Sequence, residues 1–135
     1  MIQWGAQGLT ISGLAGFPAV ASDGAGGAII AWVDYRDAKP DIYAQRVNAE
    51  GIMQWTDASA VYLAPPITGF EPEPRLSMIS DDQGGAIIAW PQFAGPQDTH
   101  PWNTDIFAQK INNSGVIQWP AAGVPVCNTL DGQSN

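Results

Sequence analysis

The sequence predicts an all-β fold in which a four-stranded antiparallel unit is repeated. The first observation is a seven-residue segment, Gly-Gly-Ala-Ile-Ile-Ala-Trp, that occurs identically at 26–32 and 84–90. The second is that another segment recurs in the same order. Asp-Ile-Tyr-Ala-Gln-Arg-Val-Asn at 41–48 corresponds to Asp-Ile-Phe-Ala-Gln-Lys-Ile-Asn at 105–112. The third is a composition with 15 glycines and 11 prolines but only 13% charged residues, which is typical of short strands joined by tight turns. Such a unit buries its apolar face by packing against its own copies.

The first strand of each unit is predicted at 18–22 and at 75–80. The segment 18–22 is small and apolar, which suits an inner strand crowded by its neighbours. The next residues, 23–27 and 81–85, are rich in Asp and Gly, which tolerate the positive φ of a tight turn. We therefore expect a hairpin at each of these two places.

The second and third strands come directly after this hairpin. Residues 28–33 and 86–90 form apolar runs rich in branched side chains, as expected for a strand buried on both faces. In the third strand, 42–47, alternate residues face opposite ways. Because one of its faces carries an arginine and the other a tyrosine and a glutamine, we expect this strand to lie nearer solvent.

The fourth strand is predicted after a second hairpin. Asn-Ala-Glu-Gly at 48–51 leads into Ile-Met-Gln-Trp at 52–55, and Asn-Asn-Ser-Gly at 112–115 leads into Val-Ile-Gln-Trp at 116–119. A third Gln-Trp pair stands at 3–4. The chain therefore has three outer-strand segments for two units, so one end segment is surplus or pairs with a neighbouring chain.

Repeated four-stranded antiparallel units predict the blades of a β-propeller. An ordinary β-sandwich is the main alternative, since sandwiches also contain regular short strands, but it does not explain the near-identical repeats. We divide the chain into an outer-strand segment at 1–17, a first blade at 18–64 and a second blade at 65–135 with an inserted loop at 97–104. All three belong to one structural unit.

Several short motifs also resemble the WD40-like (PD40-type) repeats of TolB-type bacterial propellers. The likeness covers both repeats and is carried in the first by Pro18, Ser22-Asp23-Gly24, Ile29-Ile30-Ala31-Trp32, Asp34-x-Arg36 and Asp41-Ile42-Tyr43. The chain lacks a proline before Asp23 and has Trp32 where that family usually has Phe. Similar repeats in long exported bacterial proteins imply a secreted or cell-surface location. The resemblance implies no enzymatic activity.

Propellers close with about four to eight blades, and this chain encodes two. We therefore expect copies of the chain to associate, with three copies and six blades as the preferred count, unless the chain is a fragment of a longer one. Unpaired strand edges and apolar blade faces would otherwise be exposed.

Charge and cysteine content narrow the range of partners. A formal net charge of −8 disfavours nucleic acid and anionic membranes. No stretch is long and apolar enough to span a bilayer, and residues 1–20 lack the pattern of a secretion signal. The single cysteine, Cys127, cannot form an internal disulfide and is interpreted as a small buried hydrophobe. We expect neither a cofactor nor a metal.

Six tryptophans suggest either blade packing or sugar stacking. Five of them, at positions 4, 32, 55, 90 and 119, are equivalent between repeats, which favours packing. Trp102 differs, because it lies in the insertion 97–104 that only the second repeat contains, together with Asp98, His100 and Asn103. Inserted loops of repeat proteins often carry function. A contact with a neighbouring subunit is the equal alternative.

The remaining candidate site residues are acidic or basic. Asp34, Arg36 and Asp41 form either a ligand-binding cluster at a blade edge or a salt-bridge network that braces a loop. In the second repeat only Asp105 survives from this trio. The Asp-rich turns at 23–27 and 81–85 lack the ligand pattern of a calcium loop. His100 with Asp98 and Asp105 has no nucleophile motif beside it, so a Ser-His-Asp triad is disfavoured.

These observations favour a non-enzymatic propeller module for binding or scaffolding, with carbohydrate as the most plausible small ligand. Spare aromatic residues, abundant amide and acidic side chains and repeated sites support that interpretation. One alternative is a glycoside-cleaving propeller, which needs two facing carboxylates and for which Asp98 and Asp105 with His100 are the candidate cluster. Another is a purely structural repeat fragment of a longer exported protein.

Overall fold

A computed structural model of the chain confirms an all-β protein with antiparallel sheets. It describes residues 7, 8, 10, 15–35, 41–55, 61–64, 75–93, 104–120 and 123–127. Among these residues no helix is present that could cross a membrane.

The described residues form two four-stranded sheets, each with its strands in sequence order. The first sheet contains β1 (Ala15–Ser22), β2 (Ala28–Asp34), β3 (Asp41–Val47) and β4 (Val61–Ala64). The second contains β5 (Ser77–Ser80), β6 (Ala86–Phe93), β7 (Thr104–Ile111) and β8 (Val124–Cys127). The two sheets are structural copies, as the repeated sequence predicts.

An aspartate closes the turn between the first two strands of each sheet. Asp23 Oδ1 accepts hydrogen bonds from the backbone N–H groups of Ala25 and Gly27, both at 2.8 Å. Asp81 Oδ1 accepts the equivalent bonds from Gln83 and Gly85, also at 2.8 Å. The side chain thus satisfies turn N–H groups that the sheet leaves without partners.

The core is built mainly from β2 and β6, as their apolar runs predict. In β2 the side chains of Ile29, Ala31 and Val33 are completely buried, and in β6 Ile88 is completely buried. Residues of both sheets belong to one apolar cluster. Because β1 also lies against β5, the two sheets share their packing instead of forming separate cores.

The third strand is more buried than the sequence suggests. Ile42 and Ala44 are completely buried on one face, and Gln45 and Val47 are buried on the other. The expectation that this strand lies nearer solvent is therefore wrong. It fails because the polar residue Gln45 is buried with its hydrogen bonds made, which a hydropathy pattern cannot anticipate.

Gln45 and its copy Gln109 hold the chain as it leaves the hairpin after the third strand. Gln45 Oε1 accepts a hydrogen bond from the backbone N–H of Trp55 at 3.0 Å. Gln109 Oε1 accepts one from Trp119 at 3.1 Å, and Gln109 Nε2 donates to the carbonyl oxygen of Pro120 at 2.9 Å. Each glutamine thereby fixes the position of the tryptophan ten residues later.

The fourth strand begins later than predicted. Residues 52–55 and 116–119 are not strands, since each makes only an isolated bridge, Val47 to Met53 and Ile111 to Ile117. The outer strands are β4 and β8, which pair with β3 and β7. The prediction fails because the tryptophan N–H donates to the buried glutamine side chain. The chain therefore leaves the third strand after one bridge, before further residue pairs can form.

Gly85→Ala is expected to lower the free energy of unfolding by about 2–3 kcal/mol. An added Cβ would collide with the carbonyl oxygen of Ile111 and with the Asp81 carboxylate. Chemical denaturation measures the loss. The control is Gly24→Ala, where a Cβ meets nothing within 4 Å and only the positive φ of 75° is unfavourable, so that about 1 kcal/mol is expected. Equal losses in the two variants would contradict this explanation.

Candidate functional site

The two sheets are joined through Trp55, which lies just after the second hairpin of the first unit and reaches the second. Its indole N–H donates to the carbonyl oxygen of Asn113 at 3.0 Å. Its ring covers Gly115, where an added Cβ would lie 2.7 Å from Trp55 Cγ. Trp55 is only 3% exposed. The turn 112–115 therefore receives a tryptophan from the preceding unit, and its glycine leaves the room for the ring.

Arg46 reinforces this junction from β3. Its Nε forms an ion pair with Asp23 Oδ2 at 3.1 Å, and its Nη1 donates to the carbonyl oxygen of Asn113 at 3.1 Å. The Asp23 side chain is almost completely buried, whereas the Arg46 side chain is 20% exposed. The Asn113 carbonyl thus accepts from both Trp55 and Arg46.

The charge of Asp23 is stabilised by its surroundings. Burial alone would raise the pKa of this carboxyl group, but the N–H groups of Ala25 and Gly27 and the Arg46 guanidinium outweigh it. The net effect lowers the pKa of Asp23 below its ordinary value. Asp23 therefore remains ionised and keeps Arg46 directed at the junction.

The junction places the turns of both units at one end of the sheets, which we call the turn end. It comprises residues 23–27, 48–51, 81–85 and 112–115. The connections from β2 to β3 and from β6 to β7 leave at the opposite end, which we call the loop end. Of the predicted site residues, Asp34, Asp41 and Asp105 lie at the loop end.

At the loop end, Asp34 and Asp41 are register partners across β2 and β3. Asp34 is 1% exposed and Asp41 is 9% exposed. The indole N–H of Trp32 donates to Asp34 Oδ2 at 3.0 Å, so Asp34 has a structural bond within its own strand. Arg36, the third member of the predicted cluster, lies outside the described residues, and the ligand-binding interpretation of the trio stays a prediction.

Most of the predicted insertion lies outside the described residues, namely Asp98, His100, Trp102 and Asn103. Asp105 lies in β7, where its register partner is Gln92, just as Asp41 faces Asp34 in the first sheet. β7 begins at Thr104, the last residue of the predicted insertion, and this end of β7 lies at the loop end.

Phe17 and Tyr35 are loop-end residues that sequence reasoning missed. Phe17 has a φ of 53°, rare for a bulky side chain, and lies where the β1–β2 register shifts between Gly16 and Ala19. Tyr35 is 45% exposed and Phe17 is 37% exposed. A Cβ on Gly16 would lie 3.4 Å from Tyr35 Cε2, so the tyrosine ring lies beside this bulge. Strain and exposed aromatic surface coincide here.

A difference between the repeats could have revealed Phe17. Its equivalent in the second repeat is Arg75, because Ala19 and Ser77 occupy the same register position opposite Ala31 and Ala89. An aromatic residue present in one copy alone is not needed for the shared packing. It is therefore a candidate for a separate role.

The tryptophans differ in how deeply they are buried. The packing prediction is confirmed for Trp32, Trp55 and Trp90, which are buried. Trp90 also stacks on Phe107 with ring centroids 6.4 Å apart. Trp119 is only half-buried. Trp4 and Trp102 lie outside the described residues.

No metal centre is found in the described part of the chain. No group of three or more His, Cys, Asp or Glu side chains is gathered there. Asp23 and Asp81 each use an oxygen within their own turn. Cys127 lies in β8 opposite Ile106.

No family model matches the chain, and comparisons with curated proteins and with solved structures also give no match.

Asp23→Asn is expected to lower the free energy of unfolding at neutral pH by about 1–2 kcal/mol. The amide keeps an oxygen for the turn but loses the ion pair with Arg46. Because the pKa of Asp23 is lowered in the folded state, its stabilisation is complete above about pH 4 and is lost as pH falls through the lowered value. Denaturation at a series of pH values should show a weaker acid dependence in the variant.

The matched control for this change is Asp81→Asn. Asp81 makes the same two turn bonds, but it has no ion pair among the described residues. Its loss should be clearly smaller. If both variants lose the same stability with the same pH dependence, the Arg46 pair does not explain the effect.

Proposed function

We propose that this chain is a two-blade β-propeller module that binds or scaffolds without catalysing a reaction, and that several copies close the ring. One observation carries the proposal. The two sheets have the same strand order, lie with β1 against β5, and are joined from the first unit to the second by Trp55 and Arg46. Neighbouring blades of a propeller need such a directional, repeatable contact.

The need for further copies arises from the number of sheets. The described residues form two sheets of this kind, fewer than the about four to eight that close a propeller. A head-to-tail contact is not self-complementary, so its repetition between copies forms a ring when the rotation closes. We prefer three copies, which give six blades.

The native mass in solution tests this assembly. For three chains of 14.3 kDa we expect about 43 kDa by multi-angle light scattering or native mass spectrometry. A mass of two or four chains would correct the count but keep the closed ring. A folded species of 14.3 kDa would contradict the proposal.

The loop end is the best candidate for a ligand, and carbohydrate is the class that we propose. Tyr35 and Phe17 expose aromatic surface there, and aromatic rings stack on the apolar faces of sugars. Asp34 and Asp41 lie at the same end, and in the sequence Trp102 stands two residues before β7, which begins there. A ring of three chains would present this combination three times, so weak single contacts would add through multivalency.

Tyr35→Ala and Trp102→Ala are each expected to weaken glycan binding by at least about tenfold, because each removes a stacking surface. A glycan array on the wild-type assembly, followed by calorimetry with its best ligand, measures the effect. The control is Val20→Ala, which truncates a 64% exposed side chain further along β1. A blank array would reject carbohydrate as the ligand and leave the scaffold role.

A further inference from the structure

The two sheets pack on each other through different faces. Register partners on neighbouring strands share a face of the sheet, and consecutive residues of a strand lie on opposite faces. The first sheet contributes what we call its forward face, with the completely buried residues Ile29, Ala31, Val33, Ile42 and Ala44. The second sheet contributes the other face, which we call the rear face, with the buried residues Ala86, Ile88, Trp90 and Ile111. These residues belong to one apolar cluster, so the contact joins a forward face to a rear face.

The forward face of the second sheet is also apolar, but it is partly open. It carries the counterparts of the residues that the first sheet buries, namely Ile87, Ala89, Pro91, Ile106 and Ala108. Ile106 is 36% exposed, whereas its counterpart Ile42 is completely buried. The three residues on β6 are half-buried, whereas their counterparts on β2 are completely buried. The second sheet therefore exposes apolar surface of the kind that the first sheet buries.

The rear face of the first sheet is open near the turn end. On β2, Ile30 is half-buried, whereas its counterpart Ile88 is completely buried in the contact between the sheets. The same difference holds between Ala28 and its counterpart Ala86. Trp32, which lies further along the same face, is buried. The accessible part of this face is therefore the part nearer the turn end.

The first strand of each sheet shows the same difference in exposure. Met78, on the rear face of β5, is half-buried and packs against the shared core. Its counterpart on β1 is Val20, which is 64% exposed. Ala21, on the forward face of β1, is half-buried, whereas its counterpart Ile79 is 65% exposed. Both open faces thus continue onto the strands that meet inside the chain, where β1 lies against β5.

The composition of the open forward face favours a further sheet on it. Terminal units of repeat proteins have a polar outer face, because that face meets water. The forward face of the second sheet is mainly apolar, with Lys110 as the register partner of Ile87. Arg46, the counterpart of Lys110, lies on the covered forward face of the first sheet and is 20% exposed. A cation at this position is therefore compatible with a neighbouring sheet.

We propose that the forward face of the second sheet binds the rear face of the first sheet of a second copy. Ile79 and Ile87 of one chain then pack against Val20 and Ile30 of the other. The contact inside the chain identifies this partner, because it joins the same two kinds of face with β1 against β5. This inference rests on the ring assembly proposed above and names the faces that close it.

The rival arrangement joins the forward faces of two second sheets around a twofold axis. It would bury Ile79 of both copies, leave Val20 exposed and stop at two chains. The contact inside the chain joins unlike faces, and each kind of face has an open example on the chain. The head-to-tail contact is therefore favoured over the twofold one.

Charged variants of the full-length chain test each face separately. Ile79→Asp and Val20→Asp should each raise the dissociation constant of the assembly by at least about 100-fold, because an apolar contact leaves the buried carboxylate without a partner. Val20→Ala adds no charge and should weaken assembly by no more than about tenfold. Sedimentation equilibrium measures the dissociation constants, and circular dichroism checks that each variant is folded.

The matched control is Val116→Asp, which adds the same charge at another exposed site. Val116 is 54% exposed, and its counterpart Ile52 is 59% exposed even beside the contact between the sheets. This variant should therefore assemble like the wild type. Equal weakening by Val116→Asp and Ile79→Asp would show that added charge alone disrupts assembly and would overturn the assignment of the faces.

A mixture of the two charged variants tests which faces meet. The Ile79→Asp chain keeps an intact rear face, and the Val20→Asp chain keeps an intact forward face. The mixture should associate at least about tenfold more tightly than either variant alone. It should stop at a mixed pair of about 29 kDa, because the second contact is blocked. Native mass spectrometry identifies this pair, and its absence would overturn the head-to-tail contact.

The outcomes separate the two proposals. A wild-type monomer would overturn the ring and this contact together. A wild-type assembly that tolerates both Ile79→Asp and Val20→Asp would overturn this contact and leave the ring intact. An assembly lost in Ile79→Asp but kept in Val20→Asp would assign the twofold arrangement and overturn the head-to-tail contact.

Discussion

The side-chain amides of Gln45 and Gln109 fix the path of the chain where it leaves the third strand of each unit. A completely buried amide must have hydrogen-bond partners, and these are backbone groups of the segment that leaves the hairpin. The ladder between the third strand and that segment therefore stops after one bridge. The tryptophan at the end of the segment is then held at the outer side of its own sheet, and in the first unit it reaches the neighbouring turn.

The turn end and the loop end differ in the interactions that form them and in how closely the two units match. At the turn end, aspartates and asparagines cap their own turns, and the Asp23–Arg46 pair directs one cation at the next unit. This end joins units and is closely repeated. At the loop end the copies diverge, since Arg75 stands in the second unit where the first has Phe17. In the sequence, the insertion 97–104 is present only in the second repeat.

The sequence predicts the all-β class, the two hairpin turns of each unit and the buried second strand, because these depend on local periodicity and on residues that favour turns. It misplaces the fourth strand, since the path there depends on Gln45, a polar residue whose burial no hydropathy pattern indicates. It also misses Phe17, whose strained φ arises from a register shift between strands. The strand register places Asp34 and Asp41 side by side at the loop end, as the predicted cluster requires. Most of the insertion lies outside the described residues.

The glycine under Trp55 makes it easier for such a chain to gain a further unit. Recognition between the units relies on a backbone carbonyl and on the absence of a side chain at Gly115, so it needs little specific sequence from the accepting turn. A unit that keeps this glycine and its own tryptophan keeps the groups that make this contact with a neighbouring copy. Gene duplication therefore adds a neighbour that fits at once, and two identical seven-residue segments in one chain are the trace that a recent event of that kind would leave behind.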